Sequence, residues 1–218
     1  FALNYAGEDI ENWPISIYNL PEGSPDLFKD LIFILGVSVG DINLDGNAEI
    51  VFTGTTIFEG TIWGIVPLSC LFVYDNLGQS IEGFPACRDF INYESGFSVI
   101  PVLANIDSDP ELEIIPSRDG GRSINNLAPF YAINHDGSVV EGFPKYLDDV
   151  QFGNVVPVGD LNKDGNNELI LGTWKGTTFV YGLTGISGND DWTQFQHDPQ
   201  HTGCYDCVAN ENGRPQSK

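Results

Sequence analysis

Basic residues are scarce in this chain of 218 residues: nine lysines and arginines stand against 31 aspartates and glutamates, a formal net charge of -22. A surface of that sign repels phosphate backbones and anionic headgroups, which excludes nucleic acid and acidic lipid as partners. Long hydrophobic runs are also missing. The best, residues 31–39, is far shorter than the roughly 20 residues a bilayer requires, so no membrane span is expected. No basic-then-apolar leader opens the chain. Methionine is absent altogether, which predicts that Phe1 marks a processing site or the edge of an excerpt. Signatures of catalysis are missing too: there is no Gly-x-Ser-x-Gly elbow, no His-Glu-x-x-His and no phosphate-cradling glycine loop. Acidic residues are plentiful enough to supply a glycosidase-like pair. Most are assigned below as ligands or as solvated surface charge.

What the chain does have is turn chemistry and short apolar runs. Its 25 glycines, 13 prolines and 12% aromatics suit many short strands joined by tight turns. One acidic loop of nine residues is written three times: Asp41-Ile-Asn-Leu-Asp-Gly-Asn-Ala-Glu49, Asn105-Ile-Asp-Ser-Asp-Pro-Glu-Leu-Glu113 and Asp160-Leu-Asn-Lys-Asp-Gly-Asn-Asn-Glu168. Side-chain oxygens recur at positions one, three, five and nine. That spacing lets one turn converge several hard oxygen donors on a calcium ion. Asp41, Asn43, Asp45 and Glu49 are the side-chain candidates in the first loop, with Asn47 offering its backbone carbonyl. Asp160, Asn162, Asp164, Asn166 and Glu168 repeat the set. The second loop departs, with Asn105 for the leading aspartate and Pro110 for glycine. It keeps Asp107, Asp109, Glu111 and Glu113 and is expected to bind less tightly. Three Ca2+ sites follow. An EF-hand is excluded, because its twelfth position must be a bidentate glutamate and here it is Phe52, Pro116 or Leu171. Plain Asp-Gly hairpin chemistry would explain one loop, but not three with the same offsets. Magnesium fits less well because it resists dehydration.

A second marker keeps the same beat: Glu11-Asn-Trp-Pro14, Glu82-Gly-Phe-Pro85, Glu141-Gly-Phe-Pro144 and, more weakly, Asp190-Asp-Trp-Thr193. Between markers an apolar run enters the loop, a second leaves it, a third follows, and a glycine turn leads to a fourth. Four short antiparallel strands per repeat describe the blades of a β-propeller. The expected fold is all-β: a propeller portion with three four-stranded antiparallel blades, about residues 13–84, 84–143 and 143–192, plus a partial N-terminal blade. Repeats occupy residues 1–205 and a tail residues 206–218. Three blades fall short of the four to eight of a ring. Upstream blades or other chains are therefore expected to complete it.

On these motifs the chain resembles the FG-GAP or VCBS repeats of calcium-binding propellers, found in integrin alpha subunits and many secreted bacterial proteins. The segment 192–203 is similar to the ends of bacterial propellers of this type. The resemblance implies a secreted or cell-surface protein that binds a protein or glycan, with the cations in a structural role. The insertions 56–69 and 118–128 are the candidate contact loops. A carbohydrate-active propeller, lectin or polysaccharide lyase, is the alternative, with Trp63 and Trp174 as aromatics that would either stack on sugars or pack between blades. A ring closed by self-association is a third. Cys70 and Cys87 flank one hairpin nearly opposite each other, which predicts a disulfide. Cys204 and Cys207 read as a tail disulfide, or, with His197 and His201, as a two-His, two-Cys zinc site.

Overall fold

The computed structural model describes residues 8, 12–13, 32–56, 69–88, 100–116, 128–149, 156–188, 190–194, 197, 207–209 and 215–217. Among them there is no helix, and every ladder is antiparallel. The expected all-β class is observed; the sheets are small and form no closed ring. No helix among the described residues is long and apolar enough to cross a membrane.

The first module is one sheet in sequential order, β1 (Ile32–Gly40), β2 (Glu49–Thr56), β3 (Ser69–Tyr74) and β4 (Ala86–Arg88). Valine, isoleucine, phenylalanine and leucine dominate its inner strands, as suits a pleated surface buried on both sides. β3 alternates between two environments with the period of a strand. Leu71 and Val73 enter a core shared with the second module. Cys70, Phe72 and Tyr74 face the other way and join Phe52, whose ring stacks on those of Phe72 and Tyr74 at 5.2 and 5.9 Å. The register sets Cys70 directly opposite Cys87, and the two are bonded with Cα atoms 4.1 Å apart. The hairpin placement had predicted this pair.

The second module is made of shorter pieces. β5 (Val102–Ala104) pairs with β6 (Glu113–Ile115), and β7 (Ala128–Phe130) pairs with β8 (Lys145–Leu147). A single bridge from Ile114 to Ile133 joins the two hairpins, and one from Ile133 to Val139 lies within the second. The third module is β9 (Val158–Gly159), β10 (Asn166–Gly172) and β11 (Thr178–Ile186), in the order β11-β10-β9. The weak fourth marker was expected to end that module's fourth strand. Instead it forms β12 (Asp190–Trp192) and pairs with β5 of the second module. The physical reason is its tryptophan: Trp192 is buried in the core between the first two modules, beside Leu103 and Ile114. Burying an indole there outweighs lengthening the sheet. A last hairpin joins β13 (Cys207–Ala209) to β14 (Pro215–Ser217).

The two larger cores lie between modules. One holds Val51, Leu71 and Val73 of the first with Leu103, Leu112, Ile114 and Ile133 of the second. The other holds Val102, Ala104 and Ile115 of the second with Val158, Leu169 and Leu171 of the third. Adjacent residues of β5 and β6 thus serve opposite neighbours, the sheet analogue of a stacked repeat. The marker segments repeat in three dimensions. Phe84 and Phe143 donate backbone N–H to Ile81 and Val140, each at 3.1 Å, and the Phe84–Pro85 and Phe143–Pro144 bonds are both cis. Gly83 meets the turn at Asp136 and Gly137 of the next module so closely that a Cβ on Gly83 would overlap the Asp136 carbonyl. With φ of 91° at Gly83 and 83° at Gly137, both positions demand glycine. The expected partial N-terminal blade lies outside the described residues except for residues 8, 12 and 13. The Trp13 indole N–H donates to the Asn76 carbonyl at 3.5 Å.

Candidate metal centre

Each acidic loop joins an entering strand to a leaving one, so its first and last positions are anchored by ladders on either side. A short network then folds the loop on itself, and it recurs. The position-nine glutamate accepts the position-two N–H in all three: Glu49 from Ile42 at 3.0 Å, Glu113 from Ile106 at 2.7 Å, Glu168 from Leu161 at 2.7 Å. The position-three side chain accepts the position-five N–H, at 3.0 Å from Asn43, 2.9 Å from Asp107 and 2.8 Å from Asn162. These bonds curl every loop back on itself.

The first and third loops also share their remaining bonds. Asp41 accepts the N–H groups of Asp45 and Gly46 at 3.0 and 2.9 Å, and Asp160 those of Asp164 and Gly165 at 3.1 and 3.0 Å. Asp45 and Asp164 each accept the position-seven N–H at 2.8 Å. Leu44 and Lys163 take the left-handed conformation, with φ of 57° and 64°. In the second loop Pro110 replaces the glycine and no residue has positive φ. Asn105 is 3% exposed, and its amide donates to the Asp109 and Glu111 carbonyls at 2.6 and 3.3 Å.

The loops are linked to one another. Leu112, position eight of the second, donates its N–H to the Ile42 carbonyl of the first at 3.0 Å. Asn167, position eight of the third, donates its side-chain amide to the Asn105 carbonyl at 2.9 Å. Sequence reasoning missed Asn167 as a contact residue. Its place at the same offset as Leu112 was the available signal.

Electrostatics single out the second loop. Asp107, Asp109 and Glu113 bring a carboxylate oxygen each within 4.8 Å of one another, the one such group among the described residues. Glu113 is fully buried and its Oε1 has no hydrogen-bond partner. Burial pushes its carboxyl up to about 8, against backbone hydrogen bonds from Ile106 and Asp107 and with added repulsion from Asp107 and Asp109. Burial likewise raises Asp109, helped by Asp107 and Glu111. In the first loop burial lifts Glu49 to about 7, and its Oε1 is also buried without a partner. In the third loop Glu168 Oε1 accepts the Asn162 amide at 3.0 Å. The exposed Asp164 carboxyl is held down, chiefly by the Asn166 N–H.

No known protein family, curated protein or solved structure matches the chain. The site is therefore judged on its own chemistry. Three clustered carboxylates and a buried, unpartnered carboxylate oxygen fit a hard divalent cation, whose charge would offset both the repulsion and the desolvation. Asp107, Asp109 and Glu113 could hold such an ion. The Cys70–Cys87 disulfide is formed. The tail grouping lies largely outside the described residues: His201 and Cys204 are not among them. His197 sets its ring edge-on to Trp192 at 5.2 Å. Residues 57–68 and 118–127 of the proposed contact insertions, and Trp63, are also outside the described residues.

Proposed function

We propose that this chain is part of a calcium-stabilised β-propeller of the FG-GAP or VCBS type, secreted or displayed at a cell surface. It acts there as a non-catalytic binding, adhesion or assembly module. One observation carries the reading: the buried Glu113 carboxylate, with an oxygen lacking any partner, beside Asp107 and Asp109. The equivalent networks in the first and third loops extend it to three cations, and cores shared between neighbours support a stacked, radial array. The disulfide favours an oxidising compartment. Further blades, upstream or from other chains, complete the ring.

A bound cation would tie the strand entering each loop to the strand leaving it. Extracellular calcium modules bind at about 0.1–1 mM. At tenfold excess over the dissociation constant, each site contributes about 1.4 kcal/mol. Calorimetric titration should therefore show millimolar-range calcium binding, and a chelator should lower the melting temperature by several degrees. Identical melting in calcium and in excess chelator would sink the proposal.

A carbohydrate-active role has one observation in its favour. Trp174 is 63% exposed on the β10–β11 turn. There Thr173 and Thr177 donate to the Asp148 carboxylate at 3.3 and 2.9 Å. An exposed indole beside fixed polar groups suits a sugar ring. Binding on a glycan array that Trp174→Ala abolishes would favour that reading over protein adhesion.

A further inference from the structure

The leading residue of the second loop differs from its counterparts in what it does as well as in what it is. Asp41 and Asp160 receive backbone N–H groups. Asn105 gives its amide hydrogens to the Asp109 and Glu111 carbonyls, which a carboxylate cannot do. Its Oδ1 accepts the N–H of Ile186, 81 positions away at the end of β11, at 3.1 Å. Its own carbonyl accepts the Asn167 amide at 2.9 Å. Gly185 lies so close that a Cβ there would overlap both the carbonyl and the side-chain oxygen of Asn105. One buried side chain thus grips the backbone that carries Asp109 and also the last residues of the third module's strand.

We propose that Asn105 is a positioning residue that couples cation binding at the second loop to the seating of β11 in the third module. The inference rests on the cation-binding reading of Asp107, Asp109 and Glu113. A cation drawing those carboxylates together fixes the carbonyls of Asp109 and Glu111. Those carbonyls fix the plane of the Asn105 amide, and that plane aims Oδ1 at Ile186. By linkage the effect runs both ways: a well-seated β11 raises the loop's affinity for the ion.

The test uses calcium as the probe and the amide exchange rate of Ile186 as the readout. Calcium should slow that exchange by about tenfold, within the usual range of coupling between sites. The effect should vanish in Asp109→Asn, which leaves the third loop intact. Gly185→Ala, which alters no carboxylate, should lower calcium affinity at the second loop about tenfold and leave the first loop unchanged. Asn105→Asp should do the same. If that variant fails to fold, the wild-type exchange and Gly185→Ala still decide. A side chain that only supports the fold would alter exchange equally with and without calcium. If Asp109→Asn removes one calcium from the titration, yet Ile186 exchange ignores calcium and Gly185→Ala keeps its affinity, the coupling is overturned and the metal reading stands. If Asp109→Asn leaves the stoichiometry unchanged, both fall, and they fall at the titration.

Discussion

In the first loop, Asp41 collects the N–H groups of Asp45 and Gly46, and Gly46 turns the chain at a φ of 91°. In the second, Asn105 hands its amide to two carbonyls and is itself held by Asn167 and Ile186 of the third module. The same nine-position pattern is thus closed from within in one case and from a neighbour in the other. The externally braced loop gathers three of its four carboxylates within 4.8 Å of one another. The sequence pointed to the second loop as the weaker site because it lacks the leading aspartate and the glycine. Its geometry shows that a missing local ligand can be accompanied by a stronger non-local brace.

The contrast can be broken in four ways. The largest effect is expected from Glu113→Ala, measured by urea unfolding in chelator at mildly acidic pH. It strands the Ile106 N–H, which is buried, and opens a cavity, so about 3 kcal/mol should be lost. Glu168→Ala strands the N–H of Leu161, a residue 57% exposed and reachable by water, and should cost about 1 kcal/mol. Equal losses would erase the distinction. Next comes pH. In chelator the fold holds the Glu113 proton more tightly than the unfolded chain does, since the value rises from 4.5 to about 8. That stability is complete below the unfolded value and is lost as pH climbs through the folded one. Between those limits the decline is expected to reach about 1.4 kcal/mol per pH unit. Saturating calcium should flatten it, and a stability that rose over this interval in chelator would contradict the account.

Smaller still is the share of one cation. Asp109→Asn should reduce the calcium-dependent stabilisation by about 1.4 kcal/mol, read as a smaller melting shift on chelation. The least effect belongs to the backbone. Leu44 sits at φ 57° and is 44% exposed, so Leu44→Asn, which tolerates that conformation, should stabilise by about 0.5 kcal/mol. Ser108→Asn, at the matching position of the second loop, should change nothing, because no positive φ occurs there. A gain at Ser108 equal to that at Leu44 would show that the two loops turn alike.

Much of this was legible because it is local. A loop whose side chains bond N–H groups two to seven residues away writes its geometry into fixed offsets, and Asp41 to Glu49 shows that directly. The Cys70–Cys87 bond was readable for the same reason, since a hairpin sets its register by turn length. The strands entering and leaving the loops followed from apolar runs, whereas β4 and β8 begin just after Pro85 and Pro144 rather than ending at those markers. What escaped the sequence was pairing at a distance. Nothing near Trp192 announces that its strand leaves the third module for β5. Nothing near Asn105 announces Ile186. Such contacts are chosen by which surfaces remain to be covered once the local pieces exist, and that depends on the whole arrangement.

The sheet of β5 and β6 has one further consequence. Leu103 looks toward the first module and Ala104 toward the third, one large and one small. A slip of a single residue would present each neighbour with the shape meant for the other, so both packings would fail in the same event. Since both neighbouring packings rest on this one short pair, loosening it would release both at once.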